Sequence, residues 1–137
     1  MRSSKPILLV EDDRVDAMTV KRALKEIRVT NHLDIVGDGE EALIFLRNPE
    51  NEKPGIILLD LNMPKMNGIE FLKIAKKDET LKRIPVVILT TSKAERDKVD
   101  SFDLGVAGYM LKPVDYQKFI EVVKTIDLYW TLSELPD

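Results

Sequence analysis

The chain contains no cysteine, which excludes disulfides and thiolate metal sites and is compatible with a reducing compartment. No apolar leader is expected. The opening "MRSSKPILLVEDD" runs only from Ile7 to Val10 before acids interrupt it. That is too short for a secretory signal and far too short to span a bilayer, so a cytoplasmic protein without a membrane partner is expected. Positive charge is not in excess. With a net charge of −3, the balance argues against a nucleic-acid-binding surface. Internal repeats and low-complexity stretches are absent too. What remains is 137 residues, 44% hydrophobic and 33% charged, the profile of one globular domain with its own core.

Short apolar runs alternate with longer amphipathic ones. Strands are expected at Ile7–Val10, Leu33–Val36, Ile56–Leu59, Val86–Leu89 and Val106–Leu111. All but the second are rich in Val, Ile and Leu without strict alternation, as strands covered by helices on both faces are. Leu33–Val36 is interrupted by Asp34 and is the weakest of the set. Apolar residues spaced by three and four predict helices between them. These are Val15, Met18, Val20, Ala23, Leu24 and Ile27, then Ala42, Leu43 and Leu46, then Ile69, Leu72 and Ala75. Val99 with Phe102, and Phe119, Ile120, Val123 and Ile126, complete the pattern.

Cap signals open most of these helices: Asp13 before Asp16, Asp38 before Glu41, Asn67 before Glu70, Ser92 before Glu95, and Asp115. The reading is a (βα)5 α/β protein with a parallel sheet and right-handed crossovers.

In such sheets the ligand site lies outside the carboxyl ends of the strands. There the sequence places Glu11, Asp12 and Asp13, then Asp60, then Thr90 and Thr91, and finally Lys112 and Pro113. Asp13 is assigned to capping. The other acids need a counter-charge, and oxygen-only ligands suit Mg²⁺ or Mn²⁺. A cation held by Asp12 and Asp60 could neutralise a transferring phosphoryl group, with an aspartate as acceptor. Thr90 could then donate to one phosphoryl oxygen and Lys112 could pair with another.

The segments "ILLVEDD", "ILLDLNMPKMNG", "VVILTTS" and "AGYMLKPVD" resemble, in order and placement, the signature segments of the response-regulator receiver domain of two-component systems. The resemblance implies a flavodoxin-like, doubly wound sheet of order 2-1-3-4-5. It further implies phosphorylation of Asp60 by a histidine kinase. The metal would be held by Glu11, Asp12, Asp60 and the Asn62 backbone carbonyl. Thr90 matches the switch hydroxyl, Thr91 the small residue beside the phosphate, and Lys112 the family's lysine. Tyr109 matches an aromatic whose rotation reports phosphorylation, although an aromatic in a terminal strand can simply pack. Lys112–Pro113 matches a peptide bond that is cis in the family. His32 sits in a loop with no assigned role, so the phosphohistidine donor has to be another protein. Met63 and Met66 read as packing or partner-contact residues.

Residues 1–127 are read as the receiver domain and 128–137 as an apolar extension. Leu128, Tyr129, Trp130, Leu132 and Leu135 give that tail a likeness to the extension of phytochrome-associated single-domain response regulators. A homodimer through Phe119, Tyr129, Trp130, Leu132 and Leu135 is expected, with a phytochrome as the kinase. Docking of the tail on its own domain or on the kinase are the alternatives. No separate output domain is expected at this length, so output is expected through protein contacts or phosphorelay, without turnover of an external substrate. Two other readings compete with this one. A flavodoxin-like cofactor binder would want a Ser, Thr and Gly loop where "VEDDRVD" stands. A dimeric pseudo-receiver adaptor that is never phosphorylated would not need the acid, hydroxyl and lysine set.

Overall fold

Where the sequence runs apolar without alternation, strands form and both of their faces are covered. The computed structural model describes residues 5–26, 29–90, 93–111 and 117–118. Within them, strands and helices alternate as β1 (Ile7–Val10), α1 (Arg14–Glu26), β2 (Leu33–Val36), α2 (Gly39–Arg47), β3 (Ile56–Asp60), α3 (Gly68–Ala75), β4 (Val86–Thr90), α4 (Lys93–Asp100) and β5 (Gly108–Leu111). The strands form one parallel sheet in the order β2-β1-β3-β4-β5. This is the doubly wound, flavodoxin-like α/β arrangement expected. The last helix and the tail, with Phe119, Tyr129, Trp130, Leu132 and Leu135, lie outside the described residues.

Side chains alternate across each strand, so the sheet divides its apolar residues between two layers. Ile7, Leu9, Ile56, Leu58, Val87 and Leu89 pack with Ala17, Val20, Ala23 and Leu24 of α1. Leu8, Val10, Ile57, Leu59 and Ile88 face the opposite layer, with Leu43 and Leu46 of α2, Phe71 and Leu72 of α3, and Val99 of α4. Every residue of β1, β3 and β4 is buried. Burying each such aliphatic side chain is worth about 1.5–3 kcal/mol.

Three expectations shift. Val15 and Met18 are 74% and 43% exposed, and Ala17 takes their place in the core. At 100° per residue, Ala17, Val20, Ala23 and Leu24 share one stripe, while Val15 and Met18 turn away from it. β5 begins at Gly108 rather than Val106, after a turn in which Asp103 and Gly105 adopt positive φ. Phe102 lies beyond α4 and is 41% exposed, its ring capped by the Lys73 ammonium at 3.9 Å. Conversely, Leu33–Val36 is a strand despite Asp34. It is an edge strand, only partly buried, so the half-buried Asp34 keeps access to solvent and pairs with His32 at 2.9 Å.

Candidate functional site

Register brings the acids together. Val10 of β1 stands opposite Leu59 of β3, so Glu11 and Asp12, the next residues, meet Asp60 at the end of β3. The Glu11 amide still donates to the Val36 carbonyl of β2 at 2.9 Å, which carries the strand direction one residue further. One carboxylate oxygen from each of Glu11, Asp12 and Asp60 lies within 4.8 Å of the others. Glu11 and Asp60 are each only 3% exposed, whereas Asp12 faces solvent. Asp13 turns the chain into α1 as expected: its Oδ1 accepts the Asp16 amide at 3.0 Å. Its own amide donates to Glu11 Oε2 at 3.2 Å, which fixes that carboxylate.

The loop after β3 is built to hold Asp60 in place. Asn67 and Glu70 form the full capping box at the start of α3, removing orphan donors from the first turn. The Gly68 amide donates to the Leu61 carbonyl at 3.1 Å. A Cβ on Gly68 would sit 2.6 Å from the Asp60 carbonyl oxygen and 2.9 Å from Leu61 Cα. Only glycine lets the helix start so close to the strand end. Lys65, at φ 60°, makes the turn that precedes it. Met63 and Met66 are partly buried against the α2–α3 layer, which supports their packing role.

Carboxylates this close repel one another, and a divalent cation reverses the sign of that interaction. The set is oxygen-only, convergent and open to solvent at Asp12, so it fits Mg²⁺ or Mn²⁺ better than a nitrogen- or sulfur-preferring metal.

Across from the acids, Thr90 ends β4 and is buried. Its hydroxyl donates to Glu95 Oε1 at 2.7 Å. The other oxygen of Glu95 accepts the Asn62 side-chain amide at 2.5 Å. Glu95 was expected to serve the cap at Ser92, which lies outside the described residues. Its carboxylate ties the loop after β3 to the end of β4. It borders a cavity of about 390 Å³ with Asp12, Asn62, Pro64, Asn67 and Lys98.

Tyr109 of β5 is half-buried and packs partly on the α2–α3–α4 layer. Its hydroxyl donates to Asp100 Oδ1 of α4, and the Arg96 guanidinium lies 4.7 Å from its ring centroid. Loss of hydration pushes the phenol above its ordinary value, and the Asp100 carboxylate adds to the effect.

The structure thus brings Glu11, Asp12, Asp60, Asn62 and Thr90 to one sheet edge, with Tyr109 further along it. Thr91, Lys112 and Pro113 lie outside the described residues. His32 is exposed, remote and paired with Asp34. Glu95 was missed as a site residue. A carboxylate in the first turn of a helix beginning at this strand end was the available signal.

The family model of the response regulator receiver domain matches residues 7–124. The response regulator Rcp1 of Synechocystis is 42% identical over 92% of this chain and 88% of its own. The Mn²⁺-bound structure of an Rcp1 is 39% identical, with a TM-score of 0.75 over 97% of this chain and 99% of that one. The bacteriophytochrome response regulator RtBRR superposes with a TM-score of 0.86 at 40% identity, over 99% of this chain and 85% of that one. The phosphorylated cyanobacterial phytochrome response regulator RcpA gives 0.75 at 41%, over 94% and 98%. Family match, strand order and acid constellation agree, and this chain belongs to the response regulator receiver domain family.

Proposed function

We propose that Asp60 accepts a phosphoryl group from the phosphohistidine of a partner kinase, in a reaction that needs Mg²⁺ or Mn²⁺. The observation that carries this reading is the convergence of Glu11, Asp12 and Asp60 within 4.8 Å at the mouth of the sheet. An Asp60 carboxylate oxygen forms the new O–P bond as the N–P bond of the donor breaks, and the electron pair leaves with the imidazole. The metal, when bound, offsets the negative charge shared by the carboxylate and the incoming group. Glu11, Asp12, Asp60 and the Asn62 carbonyl would hold it. The product carries roughly 1.5 to 2 additional negative charges. Thr90 donates its hydroxyl to a phosphoryl oxygen, Thr91 lines the phosphate, and Lys112 pairs with another oxygen. Tyr109 changes its hydrogen bonding as Thr90 moves. No external substrate is turned over.

Rcp1, RtBRR and RcpA support a phytochrome-type histidine kinase as the partner. The apolar pattern of Tyr129, Trp130, Leu132 and Leu135 supports residues 128–137 as a dimerising extension of a domain spanning 1–127. Sedimentation at micromolar concentration checks this: a dimer is expected, and a monomer both before and after phosphorylation would remove the extension from the reading.

The test of the acceptor is intact-protein mass after incubation with acetyl phosphate and Mg²⁺. A single phosphoryl adduct is expected, absent in Asp60→Asn and absent with chelator. An unmodified mass under every condition would leave a non-phosphorylated adaptor as the better description.

A further inference from the structure

Glu95 binds two donors that belong to different parts of the site. Thr90 gives it a hydroxyl at 2.7 Å and Asn62 gives it an amide at 2.5 Å, across 33 residues of sequence. We propose that Glu95 is a resting-state latch, a positioning residue that must release Thr90 before the phosphorylated form can be completed. The inference rests on the phosphoacceptor reading above and adds a competitor to it.

The argument is one of proton count. A threonine hydroxyl carries a single proton, so it cannot serve Glu95 and a phosphoryl oxygen on Asp60 together. The bond to Glu95 is charge-assisted, hence stronger than a neutral one, and Thr90 is buried where water competes poorly for it. The Glu95 carboxylate also borders the same cavity as Asp12 and Asn62. An incoming dianion therefore meets a fixed negative charge as well as an occupied hydroxyl. Its release is cheap for the fold. α4 buries only Val99, and Glu95 is half-buried at its first turn. The latch holds Asn62 too, so one event releases the Asn62 amide and the Thr90 hydroxyl from the same carboxylate.

Beryllofluoride with Mg²⁺, a phosphoryl mimic, tests this by calorimetry on the full chain. Glu95→Ala should bind it about 10- to 100-fold more tightly than the unsubstituted protein, the range expected for one charge-assisted hydrogen bond. Glu95→Asp keeps the charge but falls short of Thr90, so it should gain affinity over the unsubstituted protein but less than Glu95→Ala. In a Thr90→Val background, the gain from Glu95→Ala should fall to less than half, because the latch acts through the hydroxyl. Unchanged or weaker binding by Glu95→Ala overturns the latch while the acceptor reading stands. So does an equal gain in both backgrounds, which would assign Glu95 a purely electrostatic role. Failure of the unsubstituted protein to bind beryllofluoride and to form a phosphoryl adduct would overturn the acceptor reading, and the latch with it.

Discussion

The β1–β3 side of the site and α4, which flanks the end of β4, are held by different forces. On the first, Glu11, Asp12 and Asp60 extend strands whose every residue is buried, and α1, α2 and α3 each bury a stripe of residues against the sheet. The second, α4, buries only Val99. Polar ties among the described residues join it to the rest: Glu95 to Thr90 and Asn62, Asp100 to the Tyr109 hydroxyl, and Arg96 over the Tyr109 ring. Apolar packing cannot be exchanged piecemeal, whereas hydrogen bonds can swap partners at little net cost. The acids are therefore fixed, and the elements that would respond to them are replaceable in their contacts. Low local stability is where switching elements are found.

Substitutions that strike each side separately break the comparison or sharpen it. The largest effect is expected from Leu58→Ala in β3, which empties a fully buried position. It should cost about 2–5 kcal/mol in urea unfolding. Val99→Ala in α4 should cost roughly 1–2 kcal/mol, because less is deleted. Equal losses would mean that α4 is packed as firmly as the centre of the sheet.

Gly68→Ala comes next. The new methyl meets backbone at Asp60 and Leu61, so strain of about 1–3 kcal/mol is expected. Phosphorylation by acetyl phosphate should slow as well, since the carbonyl it displaces belongs to the acceptor itself. An unaltered rate of adduct formation would show that the strand end is less constrained than its packing suggests.

The smallest effect belongs to Tyr109→Phe, which deletes a partly solvated hydrogen bond worth under about 1 kcal/mol. It has a pH signature. The folded phenol ionises above its unfolded value of about 10, so its stabilising contribution is complete below that pH. The contribution is lost as pH rises through the folded value. In an alkaline absorbance titration, the difference between the protein and Tyr109→Phe should appear later than free tyrosine. A difference centred on the ordinary value would indicate a solvated phenol, already released from α4.

Legibility from sequence followed the same division. β1, β3 and β4 were readable because continuous Val, Ile and Leu runs leave few alternatives, and the acids were readable because they terminate those runs. Asp38, and Asn67 with Glu70, were readable because capping is local, and both caps form. Glu95 was not, because its local pattern fits a cap equally well and its partner Asn62 is 33 residues away. Val15 and Met18 misled because spacings of three and four admit more than one face. Only the sheet decides which face is covered, and it selected Ala17 instead. The start of β5 was set by the turn at Asp103 and Gly105 rather than by hydrophobicity.

The parallel register also sets how the chain can change in length. Asp60 meets Glu11 and Asp12 because β1 and β3 keep step from Ile7 opposite Ile56 to Val10 opposite Leu59. One residue removed inside β3 would shift the frame, and each side chain would exchange its face of the sheet. The stretch 48–54 lies outside strand and helix, and there the entropic cost of an added residue is tenths of a kcal/mol at about this length, with no strand register to shift. Insertions and deletions are thus sorted by position: loops absorb them, while the strands behave as a ruler whose last mark is the acceptor.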